Sequence, residues 1–189
     1  RRGLRQWVVM ETVDDAGAWG IAKRLEYDRL FRGKARLLEG VLAIGHRTMD
    51  WIIARGMGAE RVYPFAYFLP QAGNRDHAVH REVGSFRFLF VGRFIELKRL
   101  DLLISTLKEF ADREFELLVV GNGPEERHLR MLAESALPGR VRWLGGRPQA
   151  EVPAIMSQAD CLVLPSRYDG WGAVISEALM VGTPVICSD

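Results

Sequence analysis

The sequence is poor in cysteine. Cys161 and Cys187 are the only two in 189 residues, and both lie in apolar, strand-like runs. That favours reduced core thiols in a cytosolic protein over a disulfide-stapled scaffold. Long apolar runs are missing too: nothing approaches the roughly 18 to 20 residues that a membrane-spanning helix requires. The N-terminus lacks the basic, apolar and small-residue succession of a signal peptide. Four histidines, His46, His77, His80 and His128, are scattered without the spacing of zinc ligands, so no structural metal is expected. A strong charge of either sign is absent as well. The net charge is +2, with twelve Lys or Arg against eight Asp or Glu in residues 1–70, a balance of +4, and −2 in the remainder. Such a mild excess permits attraction to an anionic membrane surface or a phosphorylated ligand, and it is too small for a nucleic-acid partner. With 48% hydrophobic and 26% charged residues, the chain is globular, neither disordered nor a coiled coil. It opens on Arg1 instead of Met, from which a piece of a longer polypeptide is expected.

From residue 84 onward, strand-like and helix-like segments alternate with short turns, the pattern of an open parallel α/β sheet. Phe86 to Val91 reads as a strand ended by Gly92, and Leu97 to Phe110 as a helix with Leu100, Leu103, Ile104 and Leu107 on one face. Phe115 to Val120 is a second strand, and Gly121-Asn122-Gly123-Pro124 turns it into a helix starting near Glu125. Val141 to Leu144, Cys161 to Leu164 and Pro184 to Cys187 supply three more strands, with helices starting near Glu151 and Gly172. Right-handed crossovers then place helices on both faces of the sheet. The earlier region differs. Val41 to Ile44 reads as a buried strand, Thr48 to Ala54 as a short helix, and Arg61 to Tyr63 as a strand stopped by Pro64. Residues 20–39 read as a basic helix carrying Lys23, Arg24, Arg29, Arg32, Lys34 and Arg36, interrupted by Gly33, for which a solvated face is a commoner explanation than a membrane surface. Two strands do not make a stable sheet domain alone. Residues 1–65 are therefore expected to be the C-terminal remnant of a first domain, residues 66–84 a connection, and residues 85–189 a second domain truncated at its C-terminus.

Ligands of open α/β sheets bind where strands pass into helices, at the strands' C-terminal ends. Four such turns carry candidate chemistry. In the first, Gly92 allows close approach of the backbone, Arg93 offers a planar donor fork, and Lys98 at the opening of the next helix adds a point charge: either a diphosphate clamp or two exposed surface cations. The second, Gly121 to Pro124, lacks the complete Gly-x-Gly-x-x-Gly fingerprint because position 126 is Glu, which argues against a nicotinamide-dependent dehydrogenase. The third, Leu144-Gly145-Gly146-Arg147, either lets backbone groups reach a flat ring such as a nucleobase or is a tight turn only. The fourth runs Pro165-Ser166-Arg167-Tyr168-Asp169-Gly170-Trp171-Gly172 and continues to Glu177-Ala178-Leu179. Here two carboxylates flank glycine-opened backbone and the positive end of a helix, a composition suited to a ligand with both phosphate and hydroxyl groups, as in a nucleotide sugar. Taken singly, Asp169 also reads as a helix N-terminal acid and Glu177 as a solvated side chain.

In combination, Pro165-Ser166, Asp169, Gly170-Trp171-Gly172, Glu177-Ala178-Leu179-Met180 and Gly182-Thr183-Pro184-Val185 resemble the signature of retaining glycosyltransferases of the GT-B fold, glycosyltransferase group 1, also called family 4. The resemblance extends over about residues 86–189 and more weakly over 40–70. It implies a Rossmann-like doubly wound parallel sheet that binds a nucleotide sugar, after a remnant of an acceptor-binding domain. It implies transfer of a sugar from a nucleotide-diphosphate donor to a saccharide, lipid-linked saccharide or other hydroxyl, with retained configuration and no metal or other cofactor. By the same resemblance Arg93 and Lys98 correspond to the diphosphate-binding pair, Glu177 to the acid on the ribose hydroxyls and Asp169 to the acid on the donor sugar. The backbone of Gly170, Trp171 and Gly172 would contact sugar or phosphate, with Gly92 and Gly145 also lining the donor. The first acid departs from the pattern, being Asp where the family usually has Glu. A cytoplasmic location with peripheral membrane contact, and a place in polysaccharide assembly, complete the expectation. Two alternatives stand beside it: a nucleotide-sugar-binding module inactive by itself, and a nucleotide-sugar epimerase of the same fold.

Overall fold

The computed structural model describes residues 5–69 and 85–188. The chain divides into two compact units, residues 1–68 and 69–189, each with its own parallel sheet. The inferred connection over residues 66–84 falls mostly outside the described residues, as do His77 and His80.

The first unit holds three strands, β1 (Trp7–Glu11), β2 (Gly40–Ile44) and β3 (Val62–Phe65), paired in that order. Sequence reading found only the latter two. In β1 only alternate residues face the core, Val8 and Met10, while Trp7 and Val9 are exposed, and no Gly or Pro marks its ends. Pro64, expected to stop β3, lies inside it. β3 lies at the edge of this sheet, the position to which proline within strands is largely confined. Helix α1 (Gly17–Lys34) is continuous through Gly33 and passes into a 3-10 turn at Ala35–Leu37. A glycine weakens a helix by about 1 kcal/mol relative to alanine without ending it. With α2 (His46–Ile53), α1 covers one sheet face through Phe31, Ala35 and Ile52. Arg55 bridges the elements: its guanidinium lies 3.5 Å from the Trp51 ring centroid and bonds Asp15 at 3.1 Å.

The second unit contains β4 (Phe86–Val91), β5 (Phe115–Val120), β6 (Val141–Gly145), β7 (Cys161–Leu164) and β8 (Val185–Cys187). Their order across the sheet is β6-β5-β4-β7-β8, all parallel. This is a doubly wound α/β sheet: the chain winds outward from β4 to β6, then returns to the other side of β4 at β7. Right-handed crossovers put α3 (Leu100–Lys108) and α4 (Glu126–Ala136) on one face, and α5 (Val152–Met156) and α6 (Ala173–Met180) on the other. The side chains obey the period of two. Phe90, Leu117, Val119 and Val163 join Leu100, Leu103, Ile104 and Leu107 under α3 and α4, while Leu89, Leu118, Val120 and Leu162 join Met156 and Ala178 under α5 and α6.

The expected helix from Leu97 to Phe110 is broken. A 3-10 turn at Glu96–Lys98 precedes α3, and Arg99 between them has a left-handed backbone, φ 53°. Lys98 thus sits on its own turn before the helix.

The two cysteines differ. Cys161 is buried, but Cys187 lies exposed on the edge strand β8, so it is not the core thiol its apolar neighbours suggested. Burial, as the largest cause, raises the Cys161 pKa above that of an ordinary thiol. Only the thiolate attacks, so both access and ionisation slow Cys161. A thiol reagent at pH 8 should modify Cys187 in the native protein and Cys161 only on unfolding, which peptide mapping of the labelled protein reads directly. Equal labelling rates would contradict this placement.

Candidate functional site

All four candidate turns leave the same edge of the second sheet, and backbone hydrogen bonds join them side by side. Gly121 N–H donates to the Gly145 carbonyl at 3.0 Å, linking the β5 and β6 ends. Gly92 N–H donates to the Val120 carbonyl at 3.0 Å, and Phe94 N–H to the Asn122 carbonyl at 2.8 Å, linking β4 to β5. Arg167 N–H donates to the Leu97 carbonyl at 2.8 Å, linking the loop after β4 to the loop after β7. The anchor of this rim is Phe94, 1% exposed and edge-on to Trp143 at 5.7 Å between centroids. Close approach explains one glycine: a Cβ on Gly121 would lie 1.9 Å from the Gly92 carbonyl oxygen. The Gly121 to Pro124 turn therefore braces the loop after β4.

The winding reverses between β4 and β7, so their following chains diverge to opposite faces and leave a crevice there. Lys98 and Asp169 meet at that crevice. The Lys98 Nζ donates to Asp169 Oδ2 across 71 positions of sequence, with the two side chains 20% and 27% exposed. Asp169 Oδ1 accepts from Gly172 N–H at 3.2 Å. Both carboxylate oxygens are thereby engaged, one on a cation and one on the loop leading into α6. Gly172, at φ 66°, occupies left-handed backbone immediately before α6, a conformation that favours glycine.

Arg93 is exposed on the same rim, and among the described residues its guanidinium has no hydrogen-bond or ion-pair partner. Glu177 is half-buried, at the fifth position of α6. Its Oε1 accepts from Gln149 Nε2 at 3.1 Å. Gln149 carried no sequence signal: it is a lone amide in a polar loop, and only the return of the chain from β6 brings it to α6. Trp171 and Gly170 are both half-buried in the loop between Asp169 and α6. Gly145 ends β6 next to the β5 turn. Arg147 is tied locally, its Nε donating to the Leu144 carbonyl at 3.0 Å. No cluster of His, Cys, Asp and Glu fit for a metal ion occurs among the described residues.

The rim thus offers Lys98 and Asp169 at the crevice, Arg93 on the loop after β4 and Glu177 on α6, residue types able to hold an anion and hydroxyl groups. Residues 74–189 match the family described as "Glycosyl transferases group 1". The chain belongs to this family. Among curated relatives, the 2-deoxystreptamine glucosyltransferase of Streptomyces kanamyceticus is 37% identical over 99 residues, covering 51% of the chain and 26% of the relative. The amylovoran biosynthesis glycosyltransferase AmsK of Erwinia amylovora is 29% identical over 177 residues, covering 87% of the chain and 42% of the relative. In structure, Anabaena HepE in complex with UDP aligns with a TM-score of 0.79 at 19% identity, covering 97% of the chain and 53% of HepE. The chain spans between about a quarter and about a half of these proteins. The family member's second sheet is the Rossmann-like half of the GT-B fold that its sequence resembles.

The packing of the rim is open to test without a ligand. Gly121→Ala drives a methyl group into the Gly92 carbonyl, so it should destabilise the second unit by about 1–3 kcal/mol. Urea denaturation followed by hydrogen exchange of amides in β4 to β7 is the measurement, and an unchanged midpoint would contradict the close approach.

Proposed function

We propose that the protein of which this chain is part transfers a sugar from a nucleotide-diphosphate sugar to an acceptor hydroxyl, with retention of configuration, and that residues 85–189 hold the donor. The observation carrying this reading is the convergence of Lys98 and Asp169 at the β4–β7 crevice, with Arg93 and Glu177 on the same rim. Family membership and the UDP named for the HepE complex support it.

In this reading Arg93 and Lys98 bind the diphosphate, whose charge grows as the bond to the sugar breaks. Preorganised cations act on that developing charge without a reorganisation cost at the moment of reaction. The opening of α6 adds its N-terminal amides. Glu177, held by Gln149, accepts from the ribose hydroxyls, and Asp169 from hydroxyls of the donor sugar. Gly92, Gly145, Gly170, Trp171 and Gly172 contribute backbone along the donor, Gly145 nearest the base. The acceptor is a saccharide or a lipid-linked saccharide, and residues 1–65 belong to the domain that receives it. Exposed Ile21 and Leu25 on α1, with Arg29 and Arg32, support peripheral contact with a membrane from the cytoplasmic side.

A second reading, a donor-binding module without turnover by itself, is favoured by the chain's partial coverage of its relatives. Calorimetry of the chain with UDP, GDP and ADP, beside a sugar-transfer assay of the same chain, separates the two. Binding without transfer supports the module, and binding of none of the three overturns the donor assignment. In the complete polypeptide, Lys98→Ala should lower kcat by about 10²-fold if it stabilises the departing diphosphate. An unchanged kcat removes Lys98 from that role.

A further inference from the structure

We infer that the Lys98–Asp169 ion pair is an internal competitor of the nucleoside diphosphate, making the site favour a donor that carries its sugar over the diphosphate left after transfer. The inference rests on the donor reading above and assigns the pair a role of its own.

The observation is that Lys98 is already neutralised. Its ammonium meets Asp169 Oδ2, with the two side chains 20% and 27% exposed. A bound diphosphate draws on this ammonium, and it then stands beside the carboxylate that was its partner. Two like charges a few ångströms apart repel by an amount comparable to the pair's attraction. With Lys98 drawn away, Asp169 also loses the charge-assisted donor at Oδ2. A ligand with hydroxyl groups next to the diphosphate removes that penalty, because a hydroxyl donates to Oδ2 where Lys98 did. A nucleoside diphosphate alone supplies no such group at that end. After transfer the sugar has gone, Asp169 again lacks a donor, and re-forming the pair helps to expel the product.

The exchange leaves the loops in place. The Leu97 carbonyl accepts from Arg167 N–H at 2.8 Å, so the loops after β4 and β7 stay joined through backbone whatever Lys98 does. Asp169 Oδ1 stays on Gly172 N–H, so the carboxylate does not swing away when Lys98 leaves. Arg93 behaves differently. It has no intramolecular partner among the described residues and offers its charge without competition.

The test uses Asp169→Asn, which removes the charge, keeps the size and retains an oxygen for Gly172 N–H. The chain is titrated calorimetrically with UDP, GDP and ADP, and with the glucose conjugate of whichever binds. Asp169→Asn should tighten the nucleoside diphosphate by roughly twofold to fivefold, the worth of an ion pair at partial exposure. It should tighten the sugar conjugate less or weaken it, so that the preference for the conjugate falls. In a Lys98→Ala background the same substitution should no longer tighten diphosphate binding. That dependence on Lys98 is a readout that a general loosening of the loop would not produce. Diphosphate affinity that is unchanged or weaker in Asp169→Asn overturns the inference, as does equal tightening with and without Lys98. If wild type and Asp169→Asn both fail to bind any of the three diphosphates, the donor reading itself falls, and this inference with it.

Discussion

Parallel pairing of β4 with β7 is the constraint on which the site depends. The two strands are neighbours only because the winding reverses after β6, and the reversal sends their following helices to opposite faces. Chains that leave adjacent strands and diverge expose backbone at a crevice, and polar side chains near the strand ends reach it from both sides. Without the reversal, Lys98 and Asp169 would have no reason to meet. With it, the shared requirement of a packed core fixes their approach, because Phe90, Leu89, Leu162 and Val163 hold β4 and β7 at sheet spacing from both faces.

The rim divides its labour between backbone and charge. Carbonyl-to-amide bonds at Asn122–Phe94, Gly145–Gly121 and Leu97–Arg167 set the loop positions, and the buried Phe94 ring fixes the loop after β4 against Trp143. An ion pair at partial exposure contributes only about 0–1 kcal/mol, too little to order two loops. The charged groups are consequently free to serve a ligand, since the scaffold does not need them where they are. A site whose side chains held its loops together would deform whenever a ligand recruited them.

The second sheet was legible because its strands are written as short, mostly apolar runs: Phe86–Val91, Phe115–Val120 and Cys161–Leu164, interrupted only by Arg87 and Glu116, lie within the same residues in sequence and structure. The edge strands of the first sheet were less so. β1 alternates one buried residue with one exposed and offers few residues to count, and β3 tolerates a proline that a central strand would reject. The helix break at Arg99 has no sequence mark, because the left-handed residue there is an arginine and not a glycine or asparagine. Arg93, Lys98, Asp169 and Glu177 stood out in the sequence as candidates, but the contacts they make were not legible there. The Lys98–Asp169 pair and the Gln149–Glu177 bond join distant segments, and such pairings follow from the winding order and not from local spacing.

The shorter acid at position 169 has a local physical reason. Asp is favoured where a carboxylate must accept from an amide two or three residues ahead, as at a helix opening, because its single methylene keeps the oxygens near their own backbone. Asp169 does this with Gly172 through Oδ1 while Oδ2 faces Lys98. A glutamate would carry both oxygens further from the loop, trading the Gly172 bond for reach. The observed geometry therefore couples the left-handed turn at Gly172 to the charge at Lys98 through one carboxylate. The two oxygens thus have separate partners, Oδ1 the amide at the opening of α6 and Oδ2 the ammonium across the crevice.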